Sequence, residues 1–312
     1  QDALWGVPEQ GSGPRTIAKQ QVEDFIKSEV KPEGSVEARP DRARPGWVWR
    51  FWFIFKRTTL YFARNPGNAA ARMFVGVMVG LIVSLIFRDG MDDDEVLASA
   101  SLRNRLGFFT IMTLVLLPFA TVSLFQDTRV NFLAERSARL YNCSEYLIAT
   151  LLCDAVVTSL SATAFAGIIY ALVPLNGSAG FGILVCIATY LCGVSFINLA
   201  AMVAPNADIC YSLGSGTVSV FLLFSGFYVT LSELPGWMVW VSHLSFAKYA
   251  FQAWVIHEYD ATPQGELVVD ALGFDQSHTP TKWAALAFVF LFYFWFCLQM
   301  YLVLRLFVSR QA

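Results

Sequence analysis

The sequence predicts an all-α membrane protein of about six transmembrane helices, and three observations carry that expectation. Of 312 residues, 56% are hydrophobic and 15% are charged, against about 45–50% and about 25% in a soluble domain. The apolar residues are gathered into blocks of roughly 20, the length that crosses a bilayer. Proline, Asn-Gly and arginine stand at the block edges, where helices stop. The net charge of −2 is small and rules out little. No basic stretch is interleaved with aromatics, so nucleic acid is not expected as a partner.

Residues 1–45 are polar and rich in Pro, Gly and charge, which reads as a solvated linker with a short helix over Thr16–Val30. The chain starts with Gln1 and its first apolar block lies far downstream. No signal peptide is read, and the sequence is that of a fragment or a processed chain. Residues 46–64, GWVWRFWFIFKRTTLYFAR, place Arg50, Arg57 and Arg64 on one helical face among Trp and Phe. Such a helix suits a membrane surface, with rings at headgroup level and cations toward water. Asn65-Pro66-Gly67 ends it.

The first span is expected over about 70–87 and the second over about 106–126, with Pro118 inside it. Between them, MDDDE at 91–95 and Arg103/Arg105 read as a polar loop. A charged stretch at 127–145 precedes a third span at about 146–173. The fourth runs over about 180–203, the fifth over about 211–231 and the last over about 283–307. Residues 237–256 are apolar enough for a seventh, but they carry His243 and Lys248. A lysine at mid-bilayer costs about 2.5–3.5 kcal/mol. Short interfacial or re-entrant helices are therefore preferred there.

Arginine and lysine crowd the segment before the first span, the 127–145 loop (Arg129, Arg136, Arg139) and the C-terminus (Arg305, Arg310). The positive-inside rule puts these, and both termini, in the cytoplasm. The 91–105 loop, the 174–180 turn and residues 232–282 then face outside. Of two glycosylation sequons, Asn142-Cys-Ser falls inside and Asn176-Gly-Ser outside.

No G-x-x-x-x-G-K-[ST] loop is present, and Gly214-Ser-Gly216 lacks the lysine. His257-Glu258 opens a zinc pattern that Ala261 does not complete, so no metal site is predicted. No Gly-x-Ser-x-Gly elbow occurs, and no catalytic residue is assigned. The six cysteines (Cys143, Cys153, Cys186, Cys192, Cys210, Cys297) lie in or beside apolar blocks and read as buried, reduced side chains. Asp154 stands alone in a span; it is read as pairing with Arg136 or Arg139 or capping a short helix, rather than relaying protons. Gly76-x-x-x-Gly80 allows close helix approach, within the bundle or across a dimer seam.

Four segments in order resemble the transmembrane domain of the G subfamily of ABC transporters, the White and pleiotropic-drug-resistance type. They are FKRTTLYFARNPGNAAARM, FLAERSARLYNCSEYLIATLLCD, FLLFSGFYVTLSELPGWMVWVSHLSFAKYAFQAWVIHEY and the final KWAALAFVFLFYFWFCLQMYLVLRL. The resemblance runs from about residue 46 to the end and implies an ABC-2 type fold. It makes 46–64 a connecting helix and 127–145 the home of a coupling helix, where Glu135, Arg136 and Arg139 would meet an ATP-binding domain. It implies a substrate cavity between two copies, lined here by Thr113, Leu116, Val218, Ser219 and Leu222, and an external plug at Phe227-Tyr228. It also implies that residues 1–45 follow a nucleotide-binding domain missing from this sequence. ATP and Mg would act through that domain, with no cofactor on this chain. Residues 257–282 lack the cysteines that staple this loop in some members.

The leading reading is thus the membrane half of an ATP-driven exporter of hydrophobic or lipid-like substrates, in a homo- or heterodimer. Its expected partners are a nucleotide-binding domain, a second half-transporter and membrane lipid. A membrane scaffold or channel without ATP coupling is the alternative. An intramembrane enzyme would need a cluster of His, Asp, Ser or Cys at one depth, which the blocks do not offer.

Overall fold

The computed structural model describes residues 46–64, 66–88, 96–122, 142–230, 234–260, 262, 265–274 and 281–311. All of the helices below belong to the second of the chain's two units, Trp47–Ala312. They are α1 Trp47–Arg64, α2 Gly67–Phe87, α3 Val96–Leu116, α4 Cys143–Leu172, α5 Ala179–Val203, α6 Ala207–Leu223, α7 Val239–His243, α8 Phe246–Tyr259, α9 Gly265–Ala271 and α10 Lys282–Gln311. No strand occurs among the described residues.

Among the described residues, five helical segments are long and apolar enough to cross a membrane: Ala69–Phe87, Ser99–Thr121, Cys143–Leu172, Ala179–Val203 and Lys282–Leu306. The remaining expected span, 211–231, falls on α6. Its 17 residues reach about 25 Å at 1.5 Å per residue, the short end of the range that crosses a bilayer. Gly226 ends the turn that follows at φ 92°, a left-handed conformation that glycine adopts without a Cβ clash. The chain is thereby turned back before α6 can lengthen. The 237–256 block breaks, as expected, into the short α7 and α8. Ser245 caps α8, accepting from the Lys248 amide at 3.3 Å.

α5 is the central post, packed against α3, α4, α8 and α10. One core joins α3, α5, α6, α8 and α10 around Phe108, Phe246 and Phe251. A second joins α2 to α5 around Phe165 and Tyr190. A third lies at the α1 end, where Ile54 meets Tyr146, Met202 and Met300. The Gly76/Gly80 pair resolves as a contact inside the bundle. A Cβ on Gly80 would sit 3.3 Å from the Phe165 carbonyl, and one on Gly76 3.4 Å from the Ser161 hydroxyl. Lipid tails are as apolar as leucine, so close packing of this kind holds helices together in a membrane.

One sequence expectation is corrected. α3 begins at Val96, ten residues before the expected span, and takes Arg103 out of the supposed loop into the bundle. That is tolerable because Glu258 of α8 lies 2.7 Å from its Nη1. Asp154, read as pairing with an arginine, meets Arg72 of α2, Nη1 to Oδ1 at 2.8 Å; Arg136 and Arg139 lie outside the described residues. Both members of the Arg72–Asp154 pair are buried. All six cysteines are free; five are buried and Cys297 is partly so.

Asp154→Ala leaves the Arg72 guanidinium uncompensated and is expected to cost about 3–5 kcal/mol. Arg72→Met combined with Asp154→Leu should recover most of that loss. Thermal unfolding in detergent checks it, and equal midpoints for Asp154→Ala and wild type would contradict the pairing.

Candidate functional site

The features relevant to transport occur at three levels along the bundle. At one end, α1 lies against the start of α4. Arg50 does not face water with Arg57 and Arg64, as its spacing suggested. Its Nη2 reaches Glu145 Oε1 at 3.1 Å. Glu145 is fully buried in the first turn of α4. Its carboxylate also accepts from the Asn142 backbone N–H at 3.0 Å and from Asn142 Nδ2 at 3.3 Å. A carboxylate in a first turn satisfies orphan N–H groups and complements the helix dipole. Glu145 therefore fixes where α4 begins and ties α1 to that point. Glu135, Arg136 and Arg139, expected from the resemblance to meet an ATP-binding domain, lie outside the described residues.

The second level is the flank formed by α3 and α6. α6 meets its neighbours along a single i, i+4 stripe: Cys210, Gly214, Val218 and Leu222 are buried, while most of its remaining surface is exposed on this chain. Ser212, Ser215, Thr217 and Ser219 belong to that exposed surface. Each hydroxyl donates to a carbonyl three or four residues back, at 2.8–3.1 Å. Hydroxyls satisfied in this way can face an apolar surface at little cost. Leu116 is 40% exposed, and Thr113, partly exposed, donates to the Phe109 carbonyl. The five expected cavity residues thus divide. Thr113, Leu116 and Ser219 are at least partly exposed, whereas Val218 and Leu222 are packed into the core of the chain itself.

The third level is the turn after α6. Phe227 stacks on Phe108 of α3 with centroids 4.3 Å apart and planes within 8°. Phe251 of α8 meets Phe227 edge-on at 5.9 Å. Such aromatic pairs contribute about 0.5–1.5 kcal/mol each beyond area burial. Tyr228 is 61% exposed and touches Phe108 by its edge. The two expected plug residues therefore differ: Phe227 is clamped to α3 and α8, and Tyr228 projects.

Arg103 and Glu258 hold this end of the bundle. Arg103 Nη1 donates to Glu258 Oε1 and to the Pro174 carbonyl at 3.1 Å, and its Nε donates to Ser99 Oγ at 3.2 Å. Glu258 also accepts the backbone N–H of Asn176 at 2.9 Å and of Gly177 at 3.2 Å. One carboxylate therefore joins α3, α8 and the α4–α5 turn. The adjacent Tyr259 hydroxyl donates to the Ala100 carbonyl and Asn104 Oδ1, both at 3.1 Å. Arg103 reads from the sequence as part of a polar loop and Glu258 as part of an incomplete zinc pattern. The available signal was an arginine and a glutamate bordering apolar helices, where a charge demands a partner.

Gly214 and Gly216, the pair that lacks the lysine of a phosphate-binding loop, lie inside α6. No group of three or more His, Cys, Asp or Glu gathers for a metal among the described residues.

Residues 50–259 match the family described as ABC-2 type transporter. ABC transporter G family member 12 of Dictyostelium discoideum is 33% identical over 250 residues, covering 77% of this chain and 38% of that protein. G family member 22 of the same organism is 30% identical over 218 residues, covering 69% and 35%. G family member 17 of Arabidopsis thaliana is 28% identical over 231 residues, covering 72% and 34%. The chain thus spans little more than a third of the length of these relatives.

Glu145→Ala should detach α1 from α4 by removing both the Arg50 partner and the helix-start acceptor. Hydrogen exchange at the first turn of α4 is expected to quicken at least tenfold, on the order of the 1.4 kcal/mol that a charged hydrogen bond contributes. Unchanged protection there would contradict the role given to Glu145.

Proposed function

This chain belongs to the G subfamily of ABC transporters, as an ABC-2 type transmembrane domain, and from that premise we propose that it forms half the pathway of an ATP-driven exporter. The exposed surface of α6 carries the reading. A helix seated by one narrow stripe leaves most of its surface to another partner, and its four self-bonded hydroxyls suit a mixed apolar and weakly polar contact. A second half-transporter, identical or related, would cover it and close a cavity between the α3 and α6 surfaces of the two copies. Thr113, Leu116 and Ser219 would face that cavity, and Tyr228 would project across its outer end. Walls of leucine and capped hydroxyls favour a hydrophobic or lipid-like cargo over a charged one.

ATP would be hydrolysed on a nucleotide-binding domain, and this chain would contribute no catalytic residue. Glu135, Arg136 and Arg139 would take up that domain's motion. α1, tied to Glu145, would carry it to α4. Nucleotide would then bias inward-open against outward-open states through differential affinity for the two. Both termini and the 127–145 loop would be cytoplasmic, as the distribution of arginine and lysine favours.

Cysteine cross-linking tests the pairing. In the full-length transporter, Ser219→Cys is expected to yield an oxidative dimer. Val218→Cys, one residue away but buried, should stay unreactive. Equal reaction at both positions, or at neither, would remove the α6 surface as the seam. Glu135→Ala combined with Arg136→Ala should abolish ATP-dependent export while leaving the Ser219→Cys cross-link intact. Retained export would show that drive enters elsewhere.

A further inference from the structure

α1 presents two unlike faces. Arg50 and Ile54 turn toward α4 and seat the helix, the first on Glu145 and the second in the core with Tyr146 and Met300. On the opposite face stand Trp49, Trp52, Phe53, Lys56 and Leu60, which recur at i, i+3, i+4, i+7 and i+11 and so share one side of the helix. All five are exposed, Trp49 to 68%, Trp52 to 61% and Phe53 to 63%. Arg64 follows one turn after Leu60 and is exposed too. No carboxylate among the described residues lies within ion-pair distance of Lys56 or Arg64. Residues 46–64 contain no Asp or Glu. The outer face of α1 therefore joins an apolar strip to cations that the helix itself does not balance.

The position of α1 along α4 sets its depth. α4 has 30 residues and reaches about 45 Å at 1.5 Å per residue. A bilayer with both headgroup layers measures about 40–45 Å, so the two ends of α4 stand near its two water-facing edges. α1 meets the first of these ends. Its contacts run from Arg50 on Glu145 to Thr59 Oγ1, which lies 3.5 Å from Cys153 Sγ. From 145 to 153 is about 12 Å of helix. That range covers the headgroup layer and the start of the acyl chains, the depth at which amphipathic helices rest.

We propose that the outer face of α1 is a docking surface for anionic phospholipid in the leaflet at that end of the bundle. The rings of Trp49, Trp52 and Phe53 enter the boundary between headgroups and acyl chains. The Lys56 stem passes between them, and its ammonium reaches a phosphate. Arg64 presents a planar fork to a second phosphate. Each cation near the surface favours a lipid of net negative charge over a zwitterionic one, and α1 has no acid to repel it. The surface shares no residue with the α3 and α6 surface, and lipid is held there whatever the cargo.

The full-length protein is reconstituted in nanodiscs with equal parts of dioleoyl phosphatidylglycerol and dioleoyl phosphatidylcholine, then released into a neutral detergent. The lipids that stay bound are weighed by native mass spectrometry. Wild type is expected to retain phosphatidylglycerol over phosphatidylcholine by at least about fivefold, and by less at about 0.5 M salt. Lys56→Gln combined with Arg64→Gln should bring the two lipids close to parity. Arg105→Gln removes an exposed arginine of α3 near the Glu258 end and should leave the preference unchanged. If the double variant does not fold, each single replacement should lower the preference by itself.

Equal retention of the two lipids by wild type, or an undiminished preference in the glutamine variants, would overturn the surface. So would an equal loss in Arg105→Gln, which would mean attraction by net charge alone. A double variant that keeps its lipid preference and loses ATP turnover would assign the face to the ATP-binding domain instead.

Discussion

A charge carried into a bilayer is costly without its opposite, and among the described residues three arginine–carboxylate pairs meet that demand in this bundle. Arg50–Glu145 joins α1 to the start of α4. Arg72–Asp154 joins α2 to α4, and Arg103–Glu258 joins α3 to α8 and the α4–α5 turn. Hydrophobicity drives helices into lipid but does not choose their neighbours, because lipid tails compete equally for apolar surface. The pairs help make that choice. Each unites elements distant in sequence, and each leaves an uncompensated charge if its elements separate. The helices between them fill in around α5 with ordinary aromatic and aliphatic packing.

This arrangement has consequences for how motion would pass through the domain. α4 is paired near its start through Glu145 and about three turns in through Asp154, and the turn after it is held by Glu258. A push delivered to α1 would therefore move α4 as a rod rather than bend it. α6 has no such tie. It is held by one apolar stripe and by the Ser245 hydroxyl, which donates to the Phe221 carbonyl at 2.7 Å. Phe227 is stacked on α3 and α8, so α6 and the clamped turn are placed to shift differently as the rod moves.

The apolar blocks were legible because their periodicity and edges are local properties of the chain. The helix at 46–64, the long spans and the division of 237–256 into short helices followed from them. What the sequence hid was long-range. Arg103 and Arg105 look like the rim of a loop until Glu258, 155 residues away, is seen beside Arg103. Asp154 meets Arg72 at a separation of 82 residues. Thr113, Leu116, Val218, Ser219 and Leu222 came from resemblance alone. The chain divides them by helical register: 218 and 222 continue the stripe of 210 and 214, and 219 falls off it. The tight glycine turn at 226 shortened α6 in a way that its composition does not announce.

The central claim is that this domain is half of a pathway, completed across α6 by a second copy or a close relative. The most direct measurement is native mass spectrometry of the full-length transporter released from lipid nanodiscs, paired with ATP-driven export from the same preparation. The account predicts a complex of two half-transporters as the species that accompanies export. Export by a preparation that stays monomeric in the bilayer would contradict it.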